Sequence, residues 1–347
     1  MAGDAEEARP QRPVVPGVNG ASDAPPSYVA PRWLPGGHLQ TLYAALYAPR
    51  PRVAYTRTRW ETPDSDFVDV DFVDPRTPSE RAGQPLVVLF HGLEGSSRSH
   101  YASALMAHVA ARRLRGAVVH FRGCSGEPNR LPRAYHSGDT TELDWMLRRL
   151  RAECADAPLH IVGVSLGGNV LLKWLGERGN EAQDVINSAA AVSAPVDLMA
   201  CGNALDRGLN LIYTYAFLST LKKKSLSKLV QHPGIYDPAR VRAARTLRAF
   251  DDTVTAPLHG FLGTDDYWTR ASSKPHLKSI ALPTLVLNAR NDPFLPPTAL
   301  PTPGEVSRSV TLECPSEGGH VGFVQGPYPG NLDWLPQRLL SFFRIGQ

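Results

Sequence analysis

Three residues of this 347-residue chain, Ser165, Asp292 and His320 in that order, have the types and surroundings for nucleophilic chemistry. A serine hydroxyl attacks a carbonyl only when a base takes its proton, and the base must be held in one tautomer by a third group. Ser165 lies in Gly163-Val164-Ser165-Leu166-Gly167, after the β-branched run from Ile161 and before the helical pattern Val170 to Arg178. A serine at such a strand-to-helix turn takes strained backbone angles, and glycines two residues away on either side leave room for a tight approach. The Leu166 N–H, at the positive end of the coming helix, is then expected to face a developing oxyanion.

Asp292 follows the apolar run Pro283 to Ala289, and His320 stands in Glu317-Gly318-Gly319-His320-Val321-Gly322-Phe323 after a strand expected over Val310 to Cys314. Asp265 and Asp266 are rival acids, whereas no other late histidine follows a strand. The strand Pro85 to Phe90 ends in His91-Gly92-Leu93-Glu94-Gly95, a loop whose Leu93 N–H can complete an oxyanion hole. His91 is read as a structural residue beneath that loop, His38 as a structural hydrogen-bonding residue, and Cys124 and Ser125 as turn residues. His232, His259 and His276 are assigned structural or surface roles.

The elements that must position these groups alternate. Strands are expected at Thr56 to Thr62, Phe67 to Val73, Pro85 to Phe90, Ala117 to Phe121, Leu159 to Val164 and Ile186 to Ser193, with helices at His100 to Arg113 and Leu143 to Arg151, the latter capped by Asp139 or Thr140. The first two strands form an antiparallel pair, in which Phe67, Asp69 and Asp71 are expected on a wet face. The rest predicts βαβ units and a mostly parallel sheet with helices on both faces, where chemistry collects at the carboxyl ends of strands.

Between Pro195 and Pro275 the pattern is helical, at Gly208 to Leu221, Lys222 to Val230 and Pro238 to Phe250, with a turn at Leu262 to Trp268. Residues 197–276 are therefore expected to form a cap inserted between two core segments, 31–196 and 277–347. The apolar run Leu209 to Leu218, followed by Lys222, Lys223 and Lys224, reads as an acyl-pocket wall, as an edge touching a lipid surface, or as a helix packed inside the cap. A terminal helix is expected over Asp333 to Phe343. Residues 1–30, rich in Pro, Ala and Gly, read as a disordered tail.

Composition narrows the class. With 42% hydrophobic and 20% charged residues the chain is of the soluble globular type, and a net charge of +4 spread along it argues against a nucleic-acid footprint. The four cysteines have neither metal-like nor redox-like spacing, and nothing approaches the ~20 apolar residues of a membrane span, so reduced thiols and a cytoplasmic location are expected. No metal cluster or phosphate-binding loop is recognisable, and no cofactor is expected.

Taken together, Gly-His-Leu-Gln-Thr at 37–41, His-Gly-Leu-Glu-Gly-Ser-Ser at 91–97, Arg-Gly-Cys-Ser-Gly-Glu at 122–127, Gly-Val-Ser-Leu-Gly-Gly-Asn at 163–169, Arg-Asn-Asp-Pro-Phe at 290–294 and Gly-Gly-His-Val-Gly-Phe at 318–323 resemble the YheT-like branch of the α/β-hydrolases. The likeness covers the chain from about residue 31 onward. It implies an α/β-hydrolase fold and a serine esterase acting on short- to medium-chain acyl esters, acylglycerols or other lipid esters among them. Ser165, Asp292 and His320 then take the roles of nucleophile, acid and base. Some relatives carry an N-terminal membrane anchor, which the polar start of this chain does not match. An acyltransferase or a thioesterase would use the same residues, and a non-catalytic binding protein of the same fold is the alternative from another class.

Overall fold

The computed structural model describes residues 27–74, 83–154 and 157–346. Eight strands form one sheet: β1 (Thr56–Glu61), β2 (Phe67–Val73), β3 (Leu86–Phe90), β4 (Arg115–Val119), β5 (Leu159–Val164), β6 (Ser188–Val192), β7 (Thr284–Leu287) and β8 (Val310–Glu313). Their spatial order is β1-β2-β4-β3-β5-β6-β7-β8, antiparallel at β1/β2 and β2/β4 and parallel elsewhere. Helices α1 (Gly37–Leu46), α2 (His100–Ala111), α3 (Thr140–Glu153), α4 (Leu166–Arg178) and α11 (Trp334–Phe343) belong to this layer, with Asp139 capping α3 through the Glu142 N–H. The α/β-hydrolase architecture expected from the residues is therefore present.

Strand β3 shows why both faces must be covered. Leu86, Val88 and Phe90 enter one apolar cluster with side chains of α3 and α4, while Val87 and Leu89 enter another with side chains of α2 and α11. A strand buried on both sides reads as a continuous hydrophobic run, as Leu86 to Phe90 does. The registers Phe90 to Gly163, Val164 to Val192, Val192 to Leu287 and Leu287 to Glu313 align the carboxyl ends of the parallel strands. The loops after β3, β5, β7 and β8 consequently open on one edge.

Between β6 and β7 the chain is helical: α5 (Leu198–Leu205), α6 (Leu211–Gln231), α7 (Pro238–Ala243), α8 (Leu247–Thr253), α9 (Thr255–Leu258) and α10 (Thr264–Ala271). These helices have an apolar cluster of their own around Leu218, Tyr236, Phe250, Tyr267 and Trp268. Several expectations change here. Gly208 to Val230 is a short 3-10 turn followed by one helix, since nothing between Leu221 and Lys222 breaks it. Pro238 to Phe250 splits at Thr246, whose hydroxyl caps α8 through the Ala249 N–H. The turn expected at Leu262 to Trp268 is mostly helix α10, because Asp252 accepts the Thr264 N–H while Tyr267, Trp268 and Ala271 turn inward.

Two further expectations are corrected. Asp69 and Asp71 do not face water: each is buried, because Arg59 and Arg57 stand directly across on β1 and form two-pronged ion pairs at 2.7–2.9 Å. The expected tail of residues 1–30 lies outside the described residues up to position 26, but Tyr28 is buried, donates to the Val324 carbonyl at 2.7 Å, and meets Phe323 and Trp334 edge-on.

A second buried charge cluster ties the sheet edge to α3. Arg122 donates to Asp64, Asp66 and Glu142, and Asp66 also accepts from Asn129 and from the backbone N–H groups of Phe67, Arg130 and Leu131. Burial alone would raise the Asp66 pKa, but these donors hold it below the ordinary carboxylate range. Replacing Asp66 with alanine removes one partner of a buried ion pair, at an expected cost of about 3–5 kcal/mol, read as a lower urea midpoint at unchanged slope. Because the folded pKa is depressed, this contribution is complete above about pH 4 and is lost as the pH falls through the folded value.

Candidate active site

Ser165 is the hinge between β5 and α4, with φ 53° and ψ −118°. Its own N–H is held by the Val192 carbonyl at 2.8 Å, which locks the left-handed turn against β6. The flanking glycines are sterically required: a Cβ at Gly163 would stand 2.4 Å from the Gly167 carbonyl oxygen, and one at Gly167 would stand 2.4 Å from the Phe90 oxygen. The turn thus packs against the end of β3 and presents the hydroxyl above the sheet edge.

The hydroxyl lies 3.0 Å from His320 Nε2, and His320 Nδ1 lies 2.8 Å from Asp292 Oδ2. With the carboxylate accepting from Nδ1–H, Nε2 is left as the acceptor for the Ser165 hydroxyl. Asp292 is itself oriented, since its Oδ1 accepts the Phe294 N–H at 2.8 Å. The Phe294 ring lies along the imidazole, with centroids 4.0 Å apart, and limits its rotation. The rival acids are elsewhere: Asp265 pairs with Arg248 and Asp266 with Arg270, both at the start of α10.

Leu93 and Leu166 meet at the same cavity as Ser165 and His320. Around Leu93 the neighbouring N–H groups are occupied: Gly92 donates to the Tyr101 hydroxyl, Glu94 to the Tyr135 hydroxyl, and Gly95 to the Gly92 carbonyl. Neither the Leu93 nor the Leu166 N–H has an acceptor among the described residues. Such a pair of free donors beside a hydroxyl matches what a tetrahedral oxyanion needs. His91 is fully buried under this loop, joined to the Gly92 carbonyl through Nδ1 and accepting the Phe121 N–H at Nε2, and burial lowers its pKa to about 3.

The loops that carry Asp292 and His320 are supported by helix α1. Gln40 of α1, fully buried, accepts from the Asn291 side chain and the Gly318 N–H with its carbonyl oxygen, and donates to the Leu34 carbonyl and to Glu317. Asn291 in turn accepts the Gly319 N–H, and the Thr41 hydroxyl accepts the His320 N–H. The loops carrying Asp292 and His320 are therefore bolted to one helix. Gly37 must be glycine for this, because a Cβ there would lie 1.8 Å from the Asn291 carbonyl oxygen. A polar Gln-Thr pair inside an otherwise apolar helix was the available signal. His38 meets Tyr213 rather than the site, at 3.1 Å from its hydroxyl.

Over the serine lies a cavity of about 590 Å³, within the range of small-molecule sites. Leu205, Phe217, Leu221, Phe250 and Trp268 from the helical segment line it, as does Cys124, whose thiol pKa burial pushes up to about 12. Helix α6 serves in several ways at once: Phe217 faces the cavity, Leu218 packs inside, and Leu211, Ile212 and Tyr215 stay exposed at 44%, 59% and 79%. Among the described residues no helix is long and apolar enough to cross a membrane, and no group of three or more His, Cys, Asp or Glu could hold a metal ion.

Residues 85–327 match a family model described as the alpha/beta hydrolase fold. The chain is 39% identical over 304 residues to the Escherichia coli protein YheT, provisionally named an esterase, covering 87% of this chain and 88% of that one. It is 30% identical over 324 residues to the Homo sapiens protein Phospholipase ABHD3, covering 91% of this chain and 78% of the relative. Among solved structures, the Pyrococcus furiosus esterase Pf2001 superposes with a TM-score of 0.52 at 13% identity, over 86% of this chain and 98% of that one, a likeness of fold alone.

Proposed function

Because the chain belongs to the α/β-hydrolase fold family, in the branch that contains YheT, we propose that it is a serine carboxylic-ester hydrolase acting on short- to medium-chain acyl esters, acylglycerols and other lipid esters among them. The observation that carries this reading is the unbroken hydrogen-bonded chain from the Ser165 hydroxyl through His320 to Asp292 beneath a largely apolar cavity. The names of its relatives, esterase and phospholipase, support an acyl ester as the substrate. Residues 197–276 are assigned as the cap that shapes the acyl pocket, supported by their separate apolar cluster. A cytoplasmic setting belongs to the same proposal, supported by four free thiols.

In this mechanism His320 Nε2 takes the Ser165 proton as Oγ bonds to the ester carbonyl carbon, and the carbonyl electron pair moves onto oxygen. The N–H groups of Leu93 and Leu166 stabilise that oxyanion, an interaction whose loss typically costs about 10²–10³ in turnover. Collapse breaks the bond to the alcohol oxygen, which leaves with the proton from His320. Water then attacks the acyl-serine, giving a proton to His320, and the second collapse returns that proton to Ser165 and frees the acid. Asp292 stays ionised and stabilises the imidazolium in both steps.

A fluorophosphonate probe tests this directly. The expected result is a single covalent adduct, mapped by peptide mass spectrometry to the fragment containing Ser165, in protein that hydrolyses a chain-length series of p-nitrophenyl esters. Absence of both adduct and hydrolysis overturns the proposal. Running the same series with added alcohol separates hydrolysis from acyl transfer by its products.

A further inference from the structure

The cavity over Ser165 has two unlike walls. One is apolar and comes from the helical segment; the other, where α6 crosses the loops after β3 and β4, carries charge. Most of that charge is compensated. Lys224 pairs with Glu94 at 2.8 Å, Arg122 with its three carboxylates, and Glu127 with Arg59. Asp251, the remaining acid on the lining, is half-buried, its pKa is raised to about 6 by desolvation, and it accepts from Thr255 and Trp268.

Two lysines on the lining form no ion pair among the described residues, Asp66 attracting Lys228 only from beyond ion-pair distance. Lys228 donates to the Asn129 carbonyl and to the Gln231 side chain, and has no carboxylate partner among the described residues. Lys223 has no hydrogen bond or ion pair among them. Lys228 stands four residues beyond Lys224, about one helical turn or ~6 Å farther along the same face. It is only partly exposed. A half-desolvated ammonium held by neutral oxygens is poorly compensated, and an anion in the cavity would supply what the protein does not.

We propose that Lys228, with Lys223 at the rim, forms a subsite for an anionic group, a carboxylate or a phosphate, carried on the alcohol part of the ester while the acyl chain lies against the apolar wall. This rests on Ser165 being the nucleophile and narrows the substrate class to acyl esters of anionic alcohols. Lys224 is not free to take that role, being engaged by Glu94 beside the Leu93 N–H.

The test compares three esters with one acyl chain: 1-octanoylglycerol, its 3-phosphate and its 3-hemisuccinate, with octanoate release measured for full-length protein. The expected result is a lower KM for one or both anionic esters than for the neutral one, an advantage that shrinks as salt is raised. Lys228→Met then raises KM for the favoured anionic ester about tenfold relative to the neutral ester, Lys223→Met less, and Lys228→Arg restores the preference. Whichever anion responds identifies the group recognised. A Lys228→Met change that raises KM equally for charged and neutral esters, or wild-type protein indifferent to charge, overturns the subsite while fluorophosphonate labelling of Ser165 still stands. Loss of that labelling in the wild type defeats the underlying reading, and the subsite with it.

Discussion

Ser165→Ala is expected to lower kcat on a p-nitrophenyl ester by about 10⁴–10⁶-fold, the scale seen when the nucleophile of such an arrangement is removed. Without the hydroxyl no acyl-enzyme forms, and His320 can only activate water from a position that does not suit it. What survives is binding and the two N–H groups of Leu93 and Leu166, which by themselves keep a modest advantage over water. The change should leave the fold intact: the residue's backbone is held by the Val192 carbonyl, and among the described residues its side chain bonds only to His320. Steady-state turnover, the initial burst of p-nitrophenol and fluorophosphonate labelling should all vanish together, with the urea midpoint close to wild type. A variant that kept wild-type turnover would refute the assignment of Ser165.

Asp292→Asn is the second, with an expected loss of about 10⁴ in kcat through the tautomer of His320. The local geometry states the reason. One Asp292 oxygen accepts the Phe294 N–H at 2.8 Å, so an asparagine keeps its carbonyl there and turns its NH₂ toward His320 Nδ1. Nδ1 must then accept, the ring proton moves to Nε2, and the imidazole can no longer receive the proton of Ser165. The imidazole stays in place, clasped by Phe294 and by the Thr41 bond to its backbone. Substrate binding should therefore change little while kcat collapses, a split visible in the Michaelis parameters. If turnover survived with its pH profile unchanged, Asp292 would not be the residue that orients the base.

Much of this arrangement was legible along the chain because its signals are local. Gly163 and Gly167 mark a turn that no side chain would allow, and the apolar run Ile161 to Val164 before Ser165 belongs to a sheet covered on both faces. Asp292 follows the buried strand β7 and His320 the half-exposed edge strand β8, and parallel strands in register deliver both to the edge where Ser165 stands. Other features were hidden because their partners are distant. Alternation in β2 reads as one wet face, yet Arg57 and Arg59 close that face from the neighbouring strand. Gln40 holds the Gly318 N–H across 278 positions, a pairing that no spacing rule contains.

The amino-acid order by itself determined the periods of the strands and helices, the strained turn at Ser165 and the sequence of hydroxyl, carboxylate and imidazole, since each depends on sterics and polarity within a few neighbouring residues. Tertiary structure alone decided which acid faces His320, that α1 braces the loops carrying Asp292 and His320, that the aspartates of β2 lie buried, and that two lysines of α6 border the cavity without an ion pair among the described residues. Those outcomes depend on which groups lose water together, and desolvation is a property of the packed molecule rather than of any stretch of chain.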